Sequence, residues 1–290
     1  MKKIIILVLT VLLTGCYNYV EINDLELING IHIDYQNNKY IIKFDTNKII
    51  ESEGTTLSDA FRNFEETIPK KAFYAHLKVL IISEEVLNNH FNELVDFILR
   101  NNEIRNNFYL LISNDIEKFN SSKIRNIIKN KKFDNNIVKN CTFKHVVTTY
   151  LKNNVSLLPL MNKDLKIIGS IAKDKYNTLK FNLDETRLLG ILLNKHPNIL
   201  YKNINIYNSE VKYKENTIKI YLDAELNEKD KIDHKKHLEK DIKYLLKRIK
   251  KNNINVLNMN DKYFKNNENY NIKIILDINR NGQLINEKQK

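Results

Sequence analysis

The chain has 290 residues, of which 42% are hydrophobic and 28% charged, and its 47 Lys and Arg outnumber its 35 Asp and Glu for a formal net charge of +12. That length allows one large domain or two ordinary ones, and two cysteines in all exclude a disulfide-held scaffold, so an apolar core must supply the stability. The lysines are spread along the whole chain without a helix-turn-helix, zinc-finger or aromatic ribonucleoprotein signature, so nucleic acid is not an expected partner; the charge reads either as a basic surface near anionic headgroups or as compositional bias.

The first residues are the most specific. Lys2 and Lys3 precede an apolar run from Ile4 to Leu13, too short to span a bilayer and of the length of a secretory signal. Leu13-Thr14-Gly15-Cys16 follows, with a small residue before a cysteine whose thiol, once it stands at a new N-terminus, can carry a diacylglyceryl group. Residues 1–15 are therefore expected to be a lipoprotein signal peptide and Cys16 the lipidated residue, holding the chain to membrane lipid. The competing reading is an ordinary cleaved signal with an incidental cysteine.

Past the signal, Gly30 to Asp45 alternates around Gln36-Asn37-Asn38, which predicts a hairpin. Leu57, Ala60, Phe61, Phe64 and Ile68 define one face of a helix, capped by Thr56 with Asp59 and stopped by Pro69. Leu77 to Ile82 is a short apolar strand. Ser83-Glu84-Glu85 then predicts a helix start, with one helix running through Val86, Phe91, Leu94, Val95, Ile98 and Leu99. Phe108 to Ile112 returns to strand. A helix over Phe143 to Leu151 is expected to end at Leu157-Leu158-Pro159, and residues 166–183 read as two strands around Asp174 to Asn177. The last hundred residues predict a strand through Ile218 to Leu226, a helix from about Lys236 to Lys251, a strand through Ile272 to Ile278 and a turn at Asn281-Gly282. The expected fold class is α+β: mixed sheets with packed helices, a larger N-terminal α/β domain and a smaller strand-helix-strand C-terminal domain.

Reactive chemistry is hard to find in this chain. The glycines at 15, 30, 54, 169, 190 and 282 are too scattered for a Walker loop or a dinucleotide fingerprint, and no Gly-x-Ser-x-Gly elbow occurs. His234 and His237 stand three apart near a helix start, but Lys235, Lys236 and Lys240 surround them with positive charge, so no metal is expected. His32 and Asp34 share a strand face and form either an acid/base pair or a structural one; no nucleophile or orienting third group accompanies them. No cofactor is expected, and no enzyme. Lys240, Lys243, Lys247, Arg248 and Lys250 lie off the apolar stripe of the last helix, which is expected to be buried with its lysines solvated.

The order of segments resembles a known family. Glu21-Ile-Asn-Asp-Leu25, Gly30-Ile-His-Ile-Asp34, Ala60-Phe-Arg62, the run from His76 to Glu85, the run from Phe97 to Arg105, Leu157-Leu-Pro159, Gly169 and Asp184-Glu185-Thr186 occur in the order found in the Ger(x)C family. These are the lipoprotein subunits of nutrient germinant receptors in endospore-forming bacteria. The resemblance implies an N-terminal receptor-subunit domain over residues 16–190. It implies a C-terminal domain over 191–290, shortened and without the family's tryptophan-containing segment, whose place Tyr263 and Phe264 mark. It further implies a non-catalytic subunit that joins integral-membrane receptor subunits, lipid-anchored to the outer face of the cell (spore inner) membrane, so that the spore germinates in response to nutrients. The alternative is a solute-binding lipoprotein that captures a small nutrient itself. Arg100, Glu103 and Arg105, where a helix meets a strand, are candidate partner contacts or a local ion-paired cap.

Overall fold

An eight-stranded mixed sheet organises the N-terminal part of the chain in a computed structural model, which describes residues 21–114, 116, 119–129, 141–152, 154–193, 198–214, 217–226, 233–257, 259, 264, 271–280 and 283–285. The strands are β1 (Leu25–Leu27), β2 (Gly30–Gln36), β3 (Lys39–Asp45), β4 (Ile49–Gly54), β5 (Lys71–Phe73), β6 (Val79–Ile82), β7 (Tyr109–Ile112), β8 (Ser156–Met161), β9 (Ile167–Lys173) and β10 (Thr178–Asn182). In space their order is β10-β9-β8-β7-β6-β2-β3-β4, while β1 and β5 form a separate parallel ribbon. The β2–β3 hairpin closes as predicted, with Asn37 at φ 50° and Asn38 at φ 62°, the left-handed pair that a two-residue turn between twisted strands requires. β6 pairs in parallel with both β2 and β7 and is buried at every position, which is why Val79-Leu-Ile-Ile82 is continuously apolar rather than alternating.

Helices cover both faces. On one side lie α1 (Leu57–Thr67), α2 (Glu84–Asn89), α3 (Phe91–Arg100) and, after α4 (Ser121–Lys129), α5 (Phe143–Leu151). Thr56 caps α1 by accepting the Asp59 N–H, and α1 buries Leu57, Ala60, Phe61 and Phe64. Phe64 stacks on Phe44 of β3 at 3.8 Å between ring centroids. On the other side Ile124 and Ile128 of α4 pack with Val79, Ile81, Leu111 and Cys141.

A second sheet, β11-β12-β13-β14-β15, is built by the rest of the chain. Its elements follow α6 (Leu183–Leu193) as β11 (Ile199–Tyr201), β12 (Ile204–Lys214), β13 (Thr217–Leu226), α7 (His234–Lys251), β14 (Asn271–Arg280) and β15 (Gln283–Ile285). β13 and β14 are parallel, so α7 is the crossover between them. The predicted stripe of α7, Leu238, Ile242, Leu245, Leu246 and Ile249, is buried against Ile218, Ile220, Leu222 and Ala224 of β13 and Ile272 and Ile274 of β14. This core also takes in α6 and the outward face of the β9–β10 hairpin through Ala172, Leu179 and Phe181. Gly169 stands at the closest approach of that hairpin: a Cβ there would meet the Phe181 carbonyl oxygen at 2.1 Å.

Two local expectations are corrected. The single helix expected after Ser83 is two, broken at His90 (φ −124°, ψ 10°), whose N–H closes α2 on the Val86 carbonyl while its carbonyl accepts the Leu94 N–H of α3. Neither Pro nor Gly makes this break; the His90 ring is held against Tyr35 at 3.9 Å between centroids. Leu157-Leu158-Pro159 does not end the helix α5, which stops at Leu151 with Lys152 as its cap; the three residues lie within β8. Pro159 has no N–H to give, and β8 meets β7 in one ladder pair, Ile112 with Leu160. The Asn281-Gly282 turn and Tyr263 lie outside the described residues, whereas Phe264 is buried in the second core.

Candidate functional site

Cys16 lies outside the described residues, which begin at Glu21. From there a short 3₁₀ turn, Ile22–Asp24, leads into β1, whose Leu25 pairs with Lys71 and Leu27 with Phe73 of β5. The β1–β5 ribbon continues in the Ile28 N–H donating to the Phe73 carbonyl, and where the chain passes into the large sheet the Lys78 N–H donates to the Asn29 carbonyl. Ile22, at 74% exposure, stands at its entrance as a bare apolar side chain.

Of the three predicted contact residues, Glu103 reaches this ribbon. Buried Ile104 pins the segment after α3, and the Glu103 N–H donates to Asn101 Oδ1 at 2.9 Å. Glu103 Oε1 lies 3.8 Å from Lys71 Nζ on β5, while Arg100 Nε donates to Asp96 Oδ1 one helical turn back at 2.8 Å. Arg100 and Glu103 therefore have different partners and form no shared cap. Arg105 is exposed. All three charges reach the surface, with side-chain exposures of 80% for Arg100 and 54% for Glu103. Beneath them Tyr74 donates to Glu65 Oε1 at 2.8 Å, and its phenol is held un-ionised by burial first and by that carboxylate second.

Arg100 also borders an open groove of about 360 Å³ between the start of α1 and the outer side of α3, lined by Leu57, Glu93, Asp96, Phe97 and Asn101 among others. At one end Tyr40 donates to Glu93 Oε2 at 2.5 Å, and burial together with this carboxylate pushes the phenol well above its ordinary range. His90 Nδ1 lies 3.6 Å from the same oxygen. The groove holds both signs of charge beside apolar surface from Leu57 and Phe97, and can take part in polar and apolar contacts.

The histidines singled out from the sequence are in structural surroundings. His32 is buried with Nε2 3.4 Å from the Ser113 carbonyl oxygen, and Asp34 accepts from the Tyr35 N–H at 2.8 Å and Gln36 Nε2 at 2.5 Å, so the two serve different neighbours. His237 Nδ1 is 3.1 Å from the Asp233 carbonyl oxygen and His234 is buried. Among the described residues no three His, Cys, Asp or Glu side chains gather as a metal site would need. Among them, too, no helix is long and apolar enough to cross a membrane.

One buried ionic junction was not anticipated. Glu185 of α6 accepts from Arg248 of α7, from the Asn182 N–H at 3.0 Å, and stands in a reciprocal cap with Asn182, whose side chain accepts the Glu185 N–H at 2.9 Å. Arg248 also donates to the Lys180 carbonyl and lies over the Phe181 ring, 5.5 Å from its centroid. The cap is visible in the sequence as Asn-x-x-Glu, but nothing local in the sequence signals the arginine.

Comparison with known protein families matches residues 18–163 to the spore germination protein N-terminal domain. Among solved structures the chain is similar to the crystal structure of the GerBC protein, with a TM-score of 0.48 and 12% identity over 86% of this chain and 96% of that one. Comparison with curated protein sequences gives no match.

Proposed function

Because this chain belongs to the Ger(x)C family of spore germination proteins, we propose that it is the lipid-anchored, non-catalytic subunit of a nutrient germinant receptor and works by associating with integral-membrane subunits. Its place would be the outer face of the spore inner membrane, held there by two acyl chains on Cys16. One acyl chain gives marginal membrane binding and two give stable anchoring.

The observation that carries this reading is the shortness of the tether. Cys16 precedes Glu21, the first described residue, by a few positions, and at no more than about 3.6 Å per residue Glu21 stays within roughly 18 Å of the anchor. On that leash the β1–β5 ribbon and the neighbouring charges Arg100, Glu103 and Arg105 are the part of the body best able to touch the exposed loops of membrane-embedded partners. Those three residues are accordingly the proposed contact surface. The engagement of His32 and Asp34 by separate neighbours supports a role exerted through surfaces rather than through chemistry.

Cys16→Ala tests the proposal. The expected result is release of the protein from the membrane fraction together with slowed germination in response to nutrients. Normal germination with the protein released would overturn it.

A further inference from the structure

The stripe of α7 is sealed in the second core, and what remains outward is of one kind. From Lys240 to the end of the helix the exposed positions are Lys240, Lys243, Tyr244, Lys247 and Lys251, without a carboxylate. Lys240, Tyr244, Lys247 and Lys251 recur at helical spacing and form a single row, with Lys243 beside it. Of the acidic residues near this row, Asp241 accepts from Lys202 at 2.6 Å and Tyr201 at 2.7 Å, and Asp233 pairs with Lys236 at the opposite end, while the half-buried Glu239 lies one turn before Lys243 and leaves the lysines in clear excess. Among the described residues none of the four row and flank lysines makes an ion pair, and Tyr244 stands 65% exposed in their midst.

We infer that this face of α7 is a docking surface for the anionic headgroups of a phospholipid bilayer. The shape and the composition both favour that occupant. A convex helix meets a plane along one line of side chains, and the lysines occupy that line. Lysine is depleted at the cores of protein–protein interfaces, where aromatic and aliphatic anchors dominate, whereas juxtamembrane lysines are drawn to anionic leaflets within a Debye length. An amphipathic tyrosine ring is suited to headgroup depth. Because the apolar stripe is consumed by the core, contact is electrostatic and peripheral, without insertion of the helix. The inference rests on the tethered reading only for the presence of a membrane within reach.

The test uses the chain with its own anchor, carrying Tyr244→Cys with a fluorophore on the new thiol, in vesicles whose lipids bear a headgroup quencher. Cys141 does not compete for the label, being buried with its thiol pushed up to about 12. Flotation with neutral phosphatidylcholine vesicles reports the anchor; quenching at position 244 reports the face. Quenching is expected on vesicles containing phosphatidylglycerol and not on neutral ones. It should be lost between about 0.1 and 1 M salt, as the Debye length shrinks from ~10 to ~3 Å, and lost in the triple variant Lys240→Glu, Lys243→Glu, Lys247→Glu. A chain that floats on neutral vesicles but shows no quenching on anionic ones, or quenching indifferent to the triple variant, overturns the inference and leaves the anchor standing. Quenching on anionic vesicles by a chain that does not float on neutral ones upholds the inference and removes the anchor.

Discussion

In the eight-stranded sheet β6 is buried at all four positions and β7 at three of its four, because helices stand on both faces. In the five-stranded sheet β13 alternates buried and half-buried positions and β14 buried and exposed ones over Asn271 to Ile275, because α7 covers one face alone. The first sheet is an interior partition at its centre, while its outer strands β3, β4 and β10 alternate buried with half-buried or exposed positions. The second keeps an open face and turns the back of its helix outward. Contacts with other molecules should accordingly concentrate at the ribbon end of the first region and on the helix of the second.

The sharpest way to break this contrast is to hollow each core. Ile81→Ala, on the two-sided strand β6, is expected to cost about 4–5 kcal/mol in urea unfolding, while Leu222→Ala, where one side of the sheet can relax, is expected to cost about 2–3 kcal/mol. A larger loss at Leu222 would mean that the second sheet is as enclosed as the first. Next in size is the junction between the regions. Arg248→Met leaves the buried Glu185 carboxylate without its cation, and since Arg248 is itself 31% exposed the loss should be on the order of 2–3 kcal/mol, below that of a fully buried pair. Adding Glu185→Gln, which keeps the cap acceptor, should recover part of it. If the double variant is no more stable than Arg248→Met, the charge is not what matters there.

Surface charges come third. Glu103 and Lys71 are each more than half exposed and 3.8 Å apart, so Glu103→Lys should change stability by less than about 0.5 kcal/mol. It should nevertheless lower recovery of integral-membrane subunits with the extracted protein; unchanged recovery would remove Glu103 from the contact surface. The smallest effect is at Asp59, whose carboxyl is held below its ordinary value by the hydroxyl of Thr56 first, then that of Thr55. A depressed folded-state pKa contributes stability above the unfolded value near 3.9, and that contribution is lost as pH falls through the folded value. Wild-type and Asp59→Asn chains should thus differ at neutral pH and converge in acid unfolding curves below about pH 4.

Where one residue type dictates the backbone, or one face is wet, the sequence was readable. The hairpin was marked by Asn37 and Asn38, α1 by Thr56 and its three-and-four spacing, α7 by a stripe opposite lysines. α6 carries no clear period because Leu188, Leu189, Ile191 and Leu192 are all buried, leaving no polar side to set one. α4 lay beside a Lys- and Asn-rich stretch, and β4 and β12 mix charges into short strands that only their neighbours specify. The break at His90 depends on a ring contact with Tyr35 from a distant strand. Of the proposed site, Cys16 is a reading of its immediate sequence context alone and lies outside the described residues. The partners of Glu103 and Glu185 were not, since Lys71 and Arg248 are brought to them by tertiary packing.

The parallel pairing of β13 with β14 sets a timetable for the chain's assembly. Ile218 finds its neighbour Ile272 only after α7 has crossed over, so the second core closes only once Asn271 to Arg280 have left the ribosome, after the first sheet is complete. A message truncated before Asn271 would yield a protein with its first sheet finished and the flank of β13 bare, a ready template for aggregation rather than a smaller working version.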